Sequence, residues 1–372
     1  MNTLGPDDPI VALASFGLRG AAGTLPTGPL DDAAWRKLLA KVRAHRLAGH
    51  LADALAEGAL AATETQVDEA VELHVDAMAR VVILERVLLE ATEILERTGV
   101  RHRVLKGSAL AHTAYPNPSL RVYTDVDLLA ASEDFDTAVA ALGAAGYRRN
   151  WPQLRPGFDR RFGKAATLTG DSGQIDLHRT FLMGPFGLTV DLPSLFETAT
   201  AFEVGGRRLL ALGPEERFLH ACYNAALGDV PPRLVSLRDV AQMLLHVAEV
   251  ALDHRRVLDL ARRWRGEAVV ARAVTMAWDT FGLADVVPLS VWARRYEPAR
   301  AEQRALDSYL KRRSYTAKAL ASLWVIPGVG AKTAYLRAVV LPDRAFLRIH
   351  DRGYASWLRR GGRVLLQRGG WS

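Results

Sequence analysis

The chain has 372 residues and a mass of 40.7 kDa, enough for roughly two or three domains with sizeable cores. Apolar residues make up 49% and charged residues 24%, which excludes collagen, a disordered tail protein and a small disulfide-stabilised scaffold. Cys222 is the only cysteine, and we find neither a run of about 18 uncharged apolar residues nor a basic signal sequence, so we expect a cytoplasmic protein without a membrane span.

Residues 1–98 carry apolar side chains at three- and four-residue spacing, which predicts helices. In the last and longest of these runs, Thr63 or Thr65 would cap the helix and Gly99 would end it. A helix of about 33 residues spans about 50 Å, which is long for a globular domain, so a break within it stays an open alternative.

The pattern changes at about residue 100. VRHRVLKG and VDLLA predict short strands, SEDFDTAVAALGAAG predicts a helix capped by Ser132, and KAATLTGDSGQIDLHRTF predicts a hairpin that turns at residues 170–173. Helical periodicity returns after residue 212, with Pro214 in a first turn and Cys222 in the core. We therefore predict an α/β (α+β) fold with a small mixed-sheet core flanked by helices. Its three parts are a helical region at residues 1–98, the core at 99–212 and a second helical region at 213–372.

The segment LKGSALAHTAYPNPSLRVYTDVDLL contains the most informative residues. Asp125 and Asp127 flank Val126, and residues two apart in a strand share a face, so the two carboxylates are predicted side by side, with Val126 and Leu128 turned into the core. Adjacent carboxylates repel each other, and a hard divalent cation relieves that repulsion. Oxygen ligands suit Mg²⁺, with Mn²⁺ as a possible substitute.

A third carboxylate is predicted on a later strand. Asp176 in QIDLH alternates with Ile175 and Leu177, so it should face away from them. Three such acids beside a glycine-serine turn suit metal-assisted phosphoryl or nucleotidyl transfer.

Lys106, Gly107 and Ser108 follow a predicted strand and open a helix. Glycine allows close backbone approach, and the free N–H groups of a helix start favour phosphate. Lys106 would neutralise a triphosphate, and Arg121, in the loop before Asp125, would face the same cleft; for each, a purely structural or surface role stays open.

These motifs resemble the polymerase-beta-like nucleotidyltransferase superfamily: a glycine-serine helix start, an Asp-x-Asp strand and a later aspartate. The segments LKG…YP…R…D-x-D-LL and DLH resemble more closely a bacterial nucleotidyltransferase branch, some members of which lie in gene clusters for lasso and other ribosomal peptides. Sixteen residues separate Ser108 from Asp125, more than in the general superfamily, and we interpret them as an enlarged loop carrying Arg121. Asn224 stands where the related chains are expected to have histidine.

Two further residues are candidates for the nucleotide site. Lys164 is the basic residue nearest the predicted hairpin in LRPGFDRRFGKAATL and would bind phosphate or an anionic acceptor. His178 shares the face of Asp176 and would hold an acid or touch the acceptor; a buried structural histidine is the alternative. For Arg233, Arg238 and Asp239 we prefer a structural ion pair.

The net charge of +7 is concentrated in a basic tail, since residues 337–372 contain eight arginines and two aspartates. The tail would lie on a membrane surface, bind an acidic partner or cover a cleft. IPGVGAKTA, just before it, resembles a helix-hairpin-helix DNA-binding turn, but no second hairpin or aromatic series accompanies it, so nucleic acid is an unlikely partner.

The resemblance implies an enzyme that moves a nucleotidyl group from a nucleoside triphosphate, with ATP expected, to a hydroxyl or phosphate acceptor. In this interpretation Asp125, Asp127 and Asp176 hold Mg²⁺, and the acceptor belongs to peptide natural-product tailoring or is another small molecule. The alternatives are a regulatory enzyme that adenylylates a protein and a non-catalytic module that binds nucleic acid or peptide.

Overall fold

A computed structural model describes residues 8–245, 252–311 and 315–349, together with residues 353, 354, 356, 357 and 359. Its strands are β1 His102–Val104, β2 Val126–Ala130, β3 Arg148–Arg149, β4 Ala165–Gly170, β5 Gly173–His178, β6 Ala199–Val204 and β7 Arg207–Leu212. Its α-helices are α1 Pro9–Ser15, α2 Asp32–His45, α3 Ala48–Ala56, α4 Glu64–Arg97, α5 Lys106–Ala114, α6 Phe135–Ala144, α7 Phe158–Phe162, α8 Pro185–Leu188, α9 Pro214–Leu227, α10 Leu234–Leu245, α11 His254–Arg263, α12 Glu267–Phe281, α13 Pro288–Arg295, α14 Arg300–Leu310, α15 Tyr315–Val325, α16 Val329–Val340 and α17 Arg344–Ile349. The end of the basic tail, residues 360–372, lies outside the described residues.

The seven strands form one mixed sheet in the order β3-β4-β5-β2-β1-β7-β6. The predicted hairpin is confirmed, since β4 and β5 pair antiparallel from Ala165 opposite His178 to Gly170 opposite Gly173. Strand β2 pairs parallel with β5 and antiparallel with β1. The α/β prediction is therefore confirmed, with β1, β2 and β5 at the centre of the sheet.

The two faces of the central strands differ in polarity. Val126 and Leu128 of β2 and Ile175 and Leu177 of β5 are buried in one apolar core with helices α4 and α6. Because side chains alternate along a strand, Asp127 and Asp176 lie on the opposite face, as predicted.

Helix α4 is unbroken over 34 residues, so the alternative of a break is wrong. Thr63 and Gln66 form a capping box at its start, and Gly99 follows its end with φ of 69°. Two cores support the helix: Ala70 lies in the core of the helical flanks, and Leu88 lies in the core under the sheet. Packing at both ends explains a length that local sequence alone does not require.

The helices before and after the sheet share one apolar core. It contains Ile10 and Trp35 from the first helices and Phe218, Trp264 and Trp278 from the later ones. The division at residues 98 and 212 therefore stays a prediction, because the two flanking regions pack together.

Some local details differ from the sequence prediction. Helix α6 begins at Phe135 after Asp134, not after Ser132, because residues 132–134 form a turn. Cys222 is fully buried in the helical core, as expected. In the described part of the chain, no helix combines the length and the apolar character that crossing a bilayer requires.

His50 of α3 provides a test of this core. Its side chain is 1% exposed, both ring nitrogens lack a hydrogen-bond partner, and its ring meets the Tyr115 ring edge-on at 6.0 Å. Burial lowers the pKa of His50 well below its ordinary value, and the charges of Arg238 and Arg121 lower it further. Below about pH 6.5 the unfolded chain therefore takes up a proton that the folded chain does not.

We expect the protein to lose stability as the pH falls below about 6.5, with His50 contributing up to about 1.4 kcal/mol per pH unit. His50→Leu should flatten that slope, as measured by urea unfolding between pH 8 and 5. At pH 8 the imidazole is neutral in both states, so that point is the reference. If the free energy of unfolding fell equally steeply with pH in the two proteins, His50 would not be the source of the pH dependence.

Candidate active site

Asp127 is a buried carboxylate at the centre of the site, with 3% of its surface exposed. Its Oδ1 accepts a hydrogen bond from the Lys106 ammonium and another, of 2.7 Å, from Nε2 of His178. Burial alone would raise the pKa of the Asp127 carboxyl, but Lys106 and His178 outweigh it and hold that pKa well below its usual range. Burial lowers the pKa of His178, and Lys106 lowers it further, so a neutral imidazole donates to an ionised carboxylate.

Asp176 lies next to Asp127 across the parallel strands β2 and β5, since the two residues are register partners. The hydroxyl of Thr167 on β4 donates to Oδ1 of Asp176 at 2.7 Å. One possible ligand atom each from Asp127, Asp176 and His178 lies within 4.8 Å of the others. The sheet therefore brings two predicted acids and the predicted histidine together.

The chemistry of this donor set fits Mg²⁺. Carboxylate oxygens are hard ligands, and Asp127 and Asp176 present them from adjacent strands. Asp125 comes just before β2 and is only partly buried; its Oδ1 lies 3.8 Å from the Arg46 guanidinium. His178 already donates to Asp127, which fixes the orientation of that carboxylate.

The start of α5 lies beside Asp127, because the Leu105 N–H donates to the Asp127 carbonyl at 2.9 Å. Lys106 has φ of 43°, a left-handed conformation that costs a non-glycine residue about 1–3 kcal/mol. A Cβ at Gly107 would lie 2.3 Å from Cβ of Tyr123, so this packing requires glycine whether or not phosphate binds. Ser108 is buried in the same turn, and no side chain caps the helix.

A cavity of about 230 Å³, called the polar cavity below, contains Asp125, Asp127, Lys106 and Gly107. Its other charged lining residues are Arg46, Arg121, Asp229 and Arg233, and Arg233 forms an ion pair with Asp229 at 3.1 Å. Arg46 follows the end of α2 and has no local sequence signal, so the sequence analysis missed it. Asn224 also lines the cavity and donates to the Ser236 hydroxyl at 3.2 Å.

Arg121 reaches the polar cavity, but its guanidinium is engaged by Asp239 of α10. Nε and Nη2 donate to the two carboxylate oxygens of Asp239 at 2.7 and 2.8 Å, and Nη1 donates to the Val122 carbonyl at 2.7 Å. Arg238, the neighbour of Asp239, instead donates to the Ala14 carbonyl at 2.7 Å. A role for Arg121 at phosphate stays a prediction beside this structural ion pair.

Lys164 lies at a different cavity from Lys106. It precedes β4 and, with Thr167 and Asp176, lines a larger cavity of about 510 Å³, called the aromatic cavity below. Burial lowers the pKa of the Lys164 ammonium and Lys106 lowers it further, while Asp127 and Asp176 oppose the shift. The acids therefore border both cavities: Asp125 and Asp127 line the polar cavity, and Asp176 lines the aromatic cavity.

We expect Arg121→Met to lower the free energy of unfolding by about 3–5 kcal/mol, because Asp239 would become an unpaired buried charge. Asp239→Leu should cost a similar amount, and the double variant should recover most of the loss, as urea unfolding of all four proteins would measure. Unchanged stability of Arg121→Met, with weaker nucleotide binding, would instead assign Arg121 to the cavity.

No protein of curated function matches the chain. Among solved structures, it is similar to the antibiotic-resistance factor ANT(2'')-Ia, with 14% identity over 48% of this chain and 90% of that chain and a TM-score of 0.34. It is also similar to the lincomycin-bound lincosamide antibiotic adenylyltransferase LnuA, with 13% identity over 48% of this chain and 94% of that chain and a TM-score of 0.24. A third similar structure is that of an antigenic nucleotidyltransferase-like protein from Paracoccidioides brasiliensis, with 16% identity over 43% of this chain and 75% of that chain and a TM-score of 0.28.

A protein-family model described as an uncharacterised nucleotidyltransferase matches residues 31–282, which include the whole sheet and the acids on it. Because this match spans more than half of the sequence, the chain belongs to that nucleotidyltransferase family.

Proposed function

We propose that the protein transfers a nucleotidyl group from a nucleoside triphosphate, with ATP the expected donor, to a hydroxyl or phosphate acceptor in a Mg²⁺-dependent reaction. The observation that carries this proposal is the register pairing of Asp127 with Asp176 beside the uncapped start of α5. Family membership supports the reaction class.

The polar cavity is the proposed site of the triphosphate. The uncapped N–H groups at the start of α5 and the Lys106 ammonium favour negative charge there. Ser108, in the first turn of α5, adds a hydroxyl, and Arg46 adds a cation to the cavity lining. Lys106 would then exchange its contact with Asp127 for one with phosphate.

The carboxylates of Asp125, Asp127 and Asp176 would hold the cation, which when bound supplies positive charge against the phosphate oxygens. His178 keeps the Asp127 carboxylate ionised and oriented. Thr167 orients the Asp176 carboxylate through a 2.7 Å hydrogen bond.

In the transfer, the acceptor oxygen forms a bond to the α-phosphorus and the bond from that phosphorus to the bridging oxygen of the β-phosphate breaks. Diphosphate leaves, and Asp176 takes the proton of the acceptor hydroxyl. This role suits Asp176 because it is only half-buried and borders both the cluster of acids and the aromatic cavity.

The resemblance noted from the sequence suggests an acceptor in peptide natural-product tailoring, or else a small molecule or a protein. Transfer of label from ATP to a protein band would instead favour the protein-adenylylating alternative. A DNA affinity that falls steeply with salt would favour the nucleic-acid-binding alternative.

We expect Asp127→Asn and Asp176→Asn each to lower Mg²⁺-dependent nucleotidyl transfer by at least about 100-fold, because each removes charge at the reacting phosphate. Calorimetry with ATP, GTP, CTP and UTP, with and without Mg²⁺, measures the nucleotide site independently of the acceptor.

The matched control is Asp171→Asn, which makes the same change in the exposed turn of the β4–β5 hairpin and should leave nucleotide binding and transfer unchanged. Metal-dependent binding that survives in both site variants would contradict the proposal.

A further inference from the structure

The aromatic cavity reaches the proposed reaction centre at Asp176, and its lining differs from that of the proposed triphosphate site. Lys164, Thr167 and Asp176 line one end of it, whereas Asp125, Asp127 and Lys106 line the polar cavity. Its volume of about 510 Å³ is within the usual range of small-molecule sites, roughly 300–1,000 Å³. It is therefore placed and sized for the second substrate of a transferase.

Two distant parts of the chain build the apolar walls. Trp151, Phe158 and Phe162 come from the segment between β3 and β4. Tyr315, Tyr335 and Phe346 come from α15, α16 and α17, and Trp357 follows these helices in the chain. The two walls pack against each other: the centroid of the Tyr335 ring lies 5.9 Å from the centroid of the Phe158 ring and 5.3 Å from that of the Phe162 ring. The Asp343 N–H also donates to the Leu154 carbonyl at 2.6 Å.

Several of the apolar lining side chains are exposed. Trp151 is 55% exposed, Met183 41% and Tyr315 39%. Large apolar side chains exposed around one cavity mark a binding site more often than a solvated surface. Rings of this kind bind flat apolar or aromatic groups by stacking and edge contacts.

The charges of the cavity favour an uncharged ligand. Among the described lining residues, Arg149 and Asp159 form an ion pair with each other. Lys164 and Asp176 add one charge of each sign at the end nearest the acids. A cationic ligand would find, among the described lining residues, only Asp176 as a carboxylate outside an ion pair, and the proposed reaction uses Asp176.

We propose that the aromatic cavity binds the acceptor, and that the acceptor is a small uncharged aryl alcohol whose hydroxyl lies against Asp176. This inference rests on the proposed function and deepens it. Tyr315, Tyr335, Phe346 and Trp357 lie outside residues 31–282, so the C-terminal part of the chain, and not the segment that matches the family, supplies one of the two apolar walls.

Saturation-transfer NMR with 7-hydroxy-4-methylcoumarin as the probe tests this binding without turnover. The full-length wild type should transfer saturation to the aromatic protons of the probe. Trp151→Ala/Tyr315→Ala should weaken the affinity by about fivefold or more, because two stacking surfaces are lost. Both side chains are partly exposed, so the variant should fold, and thermal unfolding checks that it does.

The matched control is Trp324→Ala, which removes an 87% exposed aromatic ring from the same helix as Tyr315 but from outside the cavity. Its affinity for the coumarin should equal that of the wild type. Equal affinity in the cavity variant, or no saturation transfer to the probe in the wild type, would overturn the inference.

Two further probes test the class of acceptor. N-acetyl-L-lysinamide, a cation, should bind more weakly than the coumarin, and tighter binding would contradict an uncharged ligand. A ten-residue peptide with a central tyrosine should bind no more tightly than the coumarin. Markedly tighter binding would mean that the acceptor is a peptide and not a small molecule.

Nucleotide calorimetry on the same protein separates the two proposals. ATP binding without coumarin binding would overturn this inference alone, whereas coumarin binding without ATP binding would overturn the proposed function.

Discussion

The site depends on the burial of one carboxylate charge, that of Asp127. An ionised carboxylate inside a protein is costly unless it is paired and hydrogen-bonded, and here Lys106 and His178 supply both compensations. The two partners come from different elements, α5 and β5. The compensation therefore requires that the start of α5 and the register of β5 on β2 be correct together, and that same register places Asp176 beside Asp127.

The sequence predicted the parts of the site that depend on local periodicity. Alternation in VDLL and QIDLH was enough to place Asp127 and Asp176 on one face, with Val126 and Ile175 on the other. The hairpin followed from its glycine-bounded turn at residues 170–173. In both cases residues close together in the chain, the alternating strand residues and the turn glycines, were enough for the prediction.

Long-range contacts were not predictable in this way. Arg46, after the end of α2, forms an ion pair with Asp125, and Asp239 of α10 forms one with Arg121. The residues of each pair are far apart in the chain, so the local sequence around one does not predict the other. The requirement for Gly107 was attributed to phosphate, whereas the packing of Tyr123 against it became evident only from the fold. The aromatic walls were missed for the same reason, since the segment around Phe158 and that around Tyr335 are far apart in the chain.

The 34-residue helix α4 has a mechanical consequence. At 1.5 Å per residue it is a rod of about 51 Å, with its first half fixed in the helical core and its second half under the sheet. A hinge between these two bodies would have to break that rod, which loses hydrogen bonds and buried surface together. Large opening motions for substrate entry are thus disfavoured along this axis, and hydrogen exchange in α4 should report the cooperativity of the sheet and helical body as a single unit.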